Sequence, residues 1–225
     1  MATATEPESP PRTATGQMEA RQLLTLDGVT WDQYVAISDA LPDRPGLRIT
    51  FDGERLELMA TSQRHERMKK LIGRMIEMIT LELDIDLQSG GNVTFRREDL
   101  EKGLEPDECY WIAHARDMIG VDEWDPAAHP PPDLAVEMDV KSRSILRQPI
   151  YAALGVLELW RFDGAHLRAL RLEAGQYVPI DHSLSLPFLR VAELAPFLHR
   201  TDEETETDTI RAFVQWLRAQ DFPRA

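Results

Sequence analysis

The sequence predicts an α/β fold, and three observations carry the prediction. Short runs that alternate apolar and polar residues with period two recur along the chain, as at 133–140. One long run, 62–83, instead repeats its apolar residues at three- and four-residue spacing. Two Asp-Gly pairs, Asp52-Gly53 and Asp163-Gly164, each separate two alternating runs, the strongest short-range hairpin signal.

Residues 1–22 are rich in Ala, Thr, Pro and Glu without periodicity and read as a disordered tail. Order is expected from Val29. Thr30 can cap a short helix over Tyr34, Val35 and Ile37, which Pro42 and Pro45 close. The runs 47–51 and 54–59 make the first hairpin. On its second strand Leu56 and Leu58 share one face; Arg55, Glu57 and Met59 share the other. On that pattern Glu57 reads as a solvent-facing strand residue.

In the helix at 62–83, Met68, Leu71, Ile72, Met75, Ile76 and Ile79 make the apolar stripe, and Ser62 is a fitting cap. The other side carries Arg64, Arg67, Lys69, Lys70 and Arg74. Such a face is usually just solvated, yet it is the best phosphate-contacting surface this chain offers. His65, in the first turn, reads as a surface or capping residue.

Gly90-Gly91 breaks the chain and 93–97 reads as a strand. Pro106 fixes its own φ and presses Glu105 towards an extended conformation, so Asp107 enters a strand from a turn. Cys109 and Trp111 share its parity. After three prolines at 130–132, Leu134, Val136, Met138 and Val140 face one way; Asp133, Ala135, Glu137 and Asp139 face the other. Three carboxylates on one face repel unless a cation or solvent answers them. Two readings stand: a solvent-facing edge, or a divalent-metal site, since hard cations want carboxylate oxygens. A short helix near Pro149 ends at Gly155. The second hairpin, a strand at 177–180 and short helices at 191–198 and 209–217 follow, and the acidic run 202–208 reads as a solvated linker.

The chain has 225 residues and a net charge of -14, so its overall field will not draw nucleic acid; any such contact must be local. No apolar run approaches the roughly 20 residues of a membrane helix. A single cysteine, Cys109, rules out an internal disulfide framework, and with no secretory h-region at the start a cytoplasmic setting is expected. There is no glycine-rich phosphate loop, zinc pattern or Gly-x-Ser-x-Gly elbow.

Several motifs in this order resemble the Uma-type putative restriction endonuclease family of the PD-(D/E)XK nuclease superfamily. They are Leu56-Glu57-Leu58-Met59 with His65-Glu66, then Arg97-Glu98-Asp99-Leu100 and Gly103-Leu104-Glu105-Pro106-Asp107. Asp133-Leu134-Ala135-Val136-Glu137-Met138-Asp139 and Ile150-Tyr151-Ala152-Ala153-Leu154-Gly155-Val156 complete the set. The resemblance spans about residues 24–200. It implies a restriction-endonuclease-like mixed central sheet flanked by helices. It divides the chain into a tail (1–22), an endonuclease-like domain (23–200) and an acidic linker with a C-terminal helix (201–225).

The resemblance also implies a Mg²⁺-dependent endonuclease that hydrolyses DNA, with Mn²⁺ able to substitute. Asp107 and Glu137 would hold the ion with a backbone carbonyl next to Glu137, and Glu57 would be a supporting acid. Asp133 is a rival for the Asp role, but four residues along a strand put it roughly 13 Å from Glu137. Family members carry Asp-Lys before the Tyr helix, where this chain has Leu146-Arg147. The catalytic cation is then either Arg147 or Lys141, which shares the parity of Glu137. Arg64, Arg67, Lys70 and Arg74 are the expected DNA contacts, with a homodimer left open. The alternative is a catalytically impaired module on the same fold that binds nucleic acid or a protein partner.

Overall fold

The computed structural model describes residues 22–41, 46–91, 93–139 and 145–224. The tail at 1–21, Pro42, Pro45, Val140 and Lys141 lie outside the described residues. The architecture is α/β, with two sheets flanked by helices. Among the described residues, no helix is long and apolar enough to cross a membrane.

The first sheet has five antiparallel strands in the order β1-β3-β2-β6-β5. They are β1 (Gln22–Asp27), β2 (Leu47–Phe51), β3 (Arg55–Ala60), β5 (Phe95–Arg97) and β6 (Lys102–Leu104). Helix α1 (Trp31–Ala40) packs on it through Tyr34, against Ile49, Phe51 and Leu56. Thr30 and Gln33 close a capping box at the start of α1, as Thr30 led one to expect. The hairpin β2–β3 forms with Phe51 opposite Leu56, so its turn centres on Gly53-Glu54, one residue later than the Asp52-Gly53 pair expected to separate the strands. Its turn is made by Asp52, whose Oδ1 accepts from the backbone N–H of Glu54 and Arg55 at 3.1 and 2.7 Å.

The second sheet has six strands in the order β11-β10-β9-β8-β7-β4. They are β4 (Gln88–Ser89), β7 (Glu108–Trp111), β8 (Leu134–Met138), β9 (Glu158–Phe162), β10 (Leu167–Glu173) and β11 (Gln176–Ile180). Among the described strands only β8 and β9 run parallel, because helix α3 (Gln148–Leu154) crosses between them. Gly155, at φ +80°, ends α3 in a conformation that costs other residues strain. Asp163 builds the β9–β10 turn as Asp52 builds the first, accepting from Ala165 and His166.

This sheet is buried on both faces. Tyr110, Val136, Met138, Trp160 and Phe162 pack under α2 (Gln63–Glu82), α4 (Ala195–Arg200) and α5 (Glu206–Arg218). Cys109, Trp111, Ala135 and Leu159 pack under α3 through Ile150, Tyr151 and Leu154. So β8 is an internal strand, and the edge reading of its acidic face does not hold. The acidic run 202–208 is mostly exposed. It includes the first turn of α5, whose Phe213 and Leu217 enter the core beside α2.

Candidate active site

The site lies where the chain passes from one sheet to the other. Glu105 still pairs with β2, its N–H donating to the Ile49 carbonyl at 3.3 Å. Pro106 turns the chain, and Asp107 stands at the entrance to β7. There Asp107 is fully buried and its Oδ2 accepts from the backbone N–H of Met138 at 2.8 Å. That bond pins Asp107 to the residue after Glu137. Period-two geometry then explains what meets Glu137: it shares its face of β8 with Ala135, and Ala135 packs under α3. The crossover helix therefore brings Tyr151 and Arg147 onto its carboxylate.

The Arg147 Nη2 lies 2.8 Å from Glu137 Oε1, with both side chains about 5% exposed. The Tyr151 hydroxyl donates to the same oxygen. Arg147 also donates to the carbonyl of Glu105 and, at 3.3 Å, to the Tyr151 hydroxyl. Burial alone would push the guanidinium pKa down; the field of Glu137, backed by Tyr151 and Asp107, raises it. Burial first, then Glu137, keeps the Tyr151 phenol protonated.

Two further cations converge on Asp107, and sequence reasoning assigned neither. The Arg48 Nε lies 3.5 Å from Asp107 Oδ1. The His65 Nε2 lies 3.3 Å from Asp107 Oδ2, and its Nδ1 lies 3.5 Å from Glu66 Oε1. His65 is fully buried rather than a surface residue, though Ser62 caps its N–H as foreseen. Burial pushes its imidazolium down, but Asp107 and Glu66 outweigh this and hold its pKa up at about 9. The family-like His65-Glu66 pair was the one signal pointing here. Lys69 is also buried, 3.7 Å from Glu66 and 3.8 Å from Glu108.

Glu57 corrects one expectation: it is buried, not solvent-facing. It belongs to the five-stranded sheet, whereas Asp107 leads into β7 and Glu137 lies on β8 of the other. Its Oε2 accepts from Ile145 N at 3.3 Å, which ties it to the segment carrying Arg147. Among the described residues no group of three or more His, Cys, Asp or Glu side chains is arranged to hold a metal ion. The three acids thus do not form one ligand triad. Asp107 and Glu137 alone remain a fitting donor set: two hard carboxylates on adjacent strands, in a site already built for charge.

The other acids of the β8 face have structural partners. Asp133 accepts from Ile112 and His114 N–H at 2.7 and 3.1 Å and pairs with His114 Nδ1, so it caps the end of β7. Asp139 pairs with Arg161 at 2.7 Å. The basic face of α2 is also answered from within. Arg64 pairs with Asp202 at 2.9 Å; Arg67 and Arg74 reach Glu206 at 3.9 and 3.3 Å. Lys70 is exposed. Lys141 lies outside the described residues.

Comparison with solved structures finds the same fold in a crystal structure titled as a putative nuclease belonging to DUF820, from Anabaena variabilis. The two align with a TM-score of 0.50 and 13% identity, over 84% of this chain and 99% of that one. No curated protein matches the chain. The family model Uma2, described as "Putative restriction endonuclease", matches residues 31–202. That span holds Glu57, Asp107, Glu137 and Arg147 and most of the chain, which therefore belongs to the Uma2 family.

Proposed function

We propose that this protein is a divalent-metal-dependent endonuclease that hydrolyses DNA phosphodiester bonds in the cytoplasm. The observation that supports it most is the hydrogen bond from Met138 N–H to Asp107, which brings two buried carboxylates from adjacent strands together in a chain of this family. Asp107 and Glu137 would hold Mg²⁺, or Mn²⁺, with a backbone carbonyl next to Glu137. Such an ion polarises the phosphodiester, steadies the leaving oxygen and lowers the pKa of bound water.

The chain's own groups set the stage for that chemistry. Arg48 and His65 hold Asp107, and Tyr151 orients Glu137. Arg147 neutralises phosphate charge but, protonated at any working pH, takes no proton from water. Lys141 is the candidate for orienting and deprotonating water. Glu57 supports the segment that carries Arg147. Lys70, with Arg64, Arg67 and Arg74 once released from their acidic partners, would contact phosphates.

A second reading has its own observation. Arg147 sits on Glu137, and acids of this chain cover most of the α2 basic face. Both favour a catalytically impaired module that binds nucleic acid or a protein partner. Cleavage of plasmid and single-stranded DNA with Mg²⁺ or Mn²⁺ separates the two. Endonuclease function predicts cleavage by wild type and a loss of at least about a hundredfold in Asp107→Asn and Glu137→Gln. DNA binding without cleavage in either metal would leave the module reading standing.

A further inference from the structure

We propose that Arg147 is a resident counter-cation of Glu137, and that a divalent ion reaches Glu137 only in competition with it. The inference rests on the metal-holding role given above to Asp107 and Glu137. Arg147 is not a loose surface charge that an incoming ion could brush aside. Its Nη2 is 2.8 Å from Glu137 Oε1 and also donates to the Glu105 carbonyl and the Tyr151 hydroxyl. Its guanidinium lies 5.8 Å from the centre of the Tyr151 ring. Arg147 immediately precedes α3, so the packing of Ile150 and Tyr151 fixes where the side chain starts.

Three of these contacts do not involve Glu137. The guanidinium is therefore held beside that carboxylate whether or not an ion arrives. Neither charge faces much water, so removing one leaves the other buried without this partner. A lysine at this position could shed its proton when a dication approached; an arginine cannot. An incoming ion thus meets a fixed positive charge within a few ångström in a weakly screened site. Removing that charge should tighten ion binding by at least about tenfold and lower the stability of the metal-free protein.

The test is a Mn²⁺ titration of the full chain, read by the electron spin resonance of free Mn²⁺ and by the thermal unfolding midpoint. Wild type, Arg147→Met and Arg147→Lys are compared, with Asp107→Asn as the control for site loss. Arg147→Met is expected to bind Mn²⁺ at least about tenfold more tightly and to gain the larger midpoint shift from it. Arg147→Lys keeps a charge for Glu137, and so the fold, and should tighten binding by a smaller factor; it decides the matter if the Met variant does not fold. Affinity unchanged or weaker in the folded variants, but abolished by Asp107→Asn, would overturn the competition and leave the metal site standing. No binding by any of the four proteins would overturn both.

Discussion

Replacing His65 by Gln removes a buried positive charge from between two carboxylates. The imidazole nitrogens lie 3.3 Å from Asp107 and 3.5 Å from Glu66. Its pKa rises from 6.5 to about 9 in the folded protein, against the pull of burial. At about 1.4 kcal/mol per pH unit, that rise corresponds to about 3 kcal/mol of stability. Because the folded state binds this proton more tightly, the contribution is fully present below pH 6.5 and is lost as pH rises through 9. The assay is denaturant unfolding of wild type and His65→Gln across pH 6 to 9.5. Their difference in stability should be largest at pH 6 and fade towards the alkaline end. The comparison cancels groups that titrate alike in both proteins. A difference that stays constant across the window would refute the charged-histidine account.

Three further outcomes follow from the same geometry. Glu158 is a buried carboxylate with no part in the site: it accepts from Trp160 Nε1, Ser183 Oγ and Ser185 N–H at 2.7, 3.1 and 2.8 Å. Glu158→Ala strands those donors and should cost about 3 kcal/mol by chemical denaturation, more than Glu158→Gln. A Cβ on Gly103 would stand 2.0 Å from the Tyr34 hydroxyl, so Gly103→Ala should cost about 2–3 kcal/mol and lower the melting temperature. Asp202→Asn with Glu206→Gln should free Arg64, Arg67 and Arg74 and strengthen oligonucleotide binding. Each arginine that then meets a duplex phosphate steepens log K against log salt by about 0.9; an unchanged slope would show that this face meets no phosphate.

What was legible in the sequence was what local chemistry decides. Asp52 and Asp163 cap their own turns, so both hairpins could be read. The apolar stripe and the Ser62 cap announced α2. Strands β4 and β6, of two and three residues, exist through their partners and carry no pattern of their own. Strand β1 is an edge strand with Leu24 exposed, and the Asp27-Gly28 pair that closes it is its one local signal. The burial of Glu57 depends on the meeting of two sheets, and that of His65 on Asp107, 42 positions along; neither is local. Glu137 and Glu158 are both strand glutamates, and both are buried. Only the groups that fold against them, a guanidinium in one case and hydroxyl, indole and amide donors in the other, set their roles apart. The acids of the site could be named from family-like motifs, whereas the cations of Arg48 and His65 could not be assigned.

The most direct test of the central claim is a crystal structure of the wild-type protein grown with Mn²⁺, with the metal located by its anomalous scattering. One peak is expected, within about 2.0–2.6 Å of a carboxylate oxygen from each of Asp107 and Glu137. Arg147 should yield that Glu137 oxygen to the ion while keeping the Glu105 carbonyl and the Tyr151 hydroxyl, so that it stays beside the carboxylate. A peak elsewhere, or none at saturating Mn²⁺ with the Glu137–Arg147 pair intact, would contradict it.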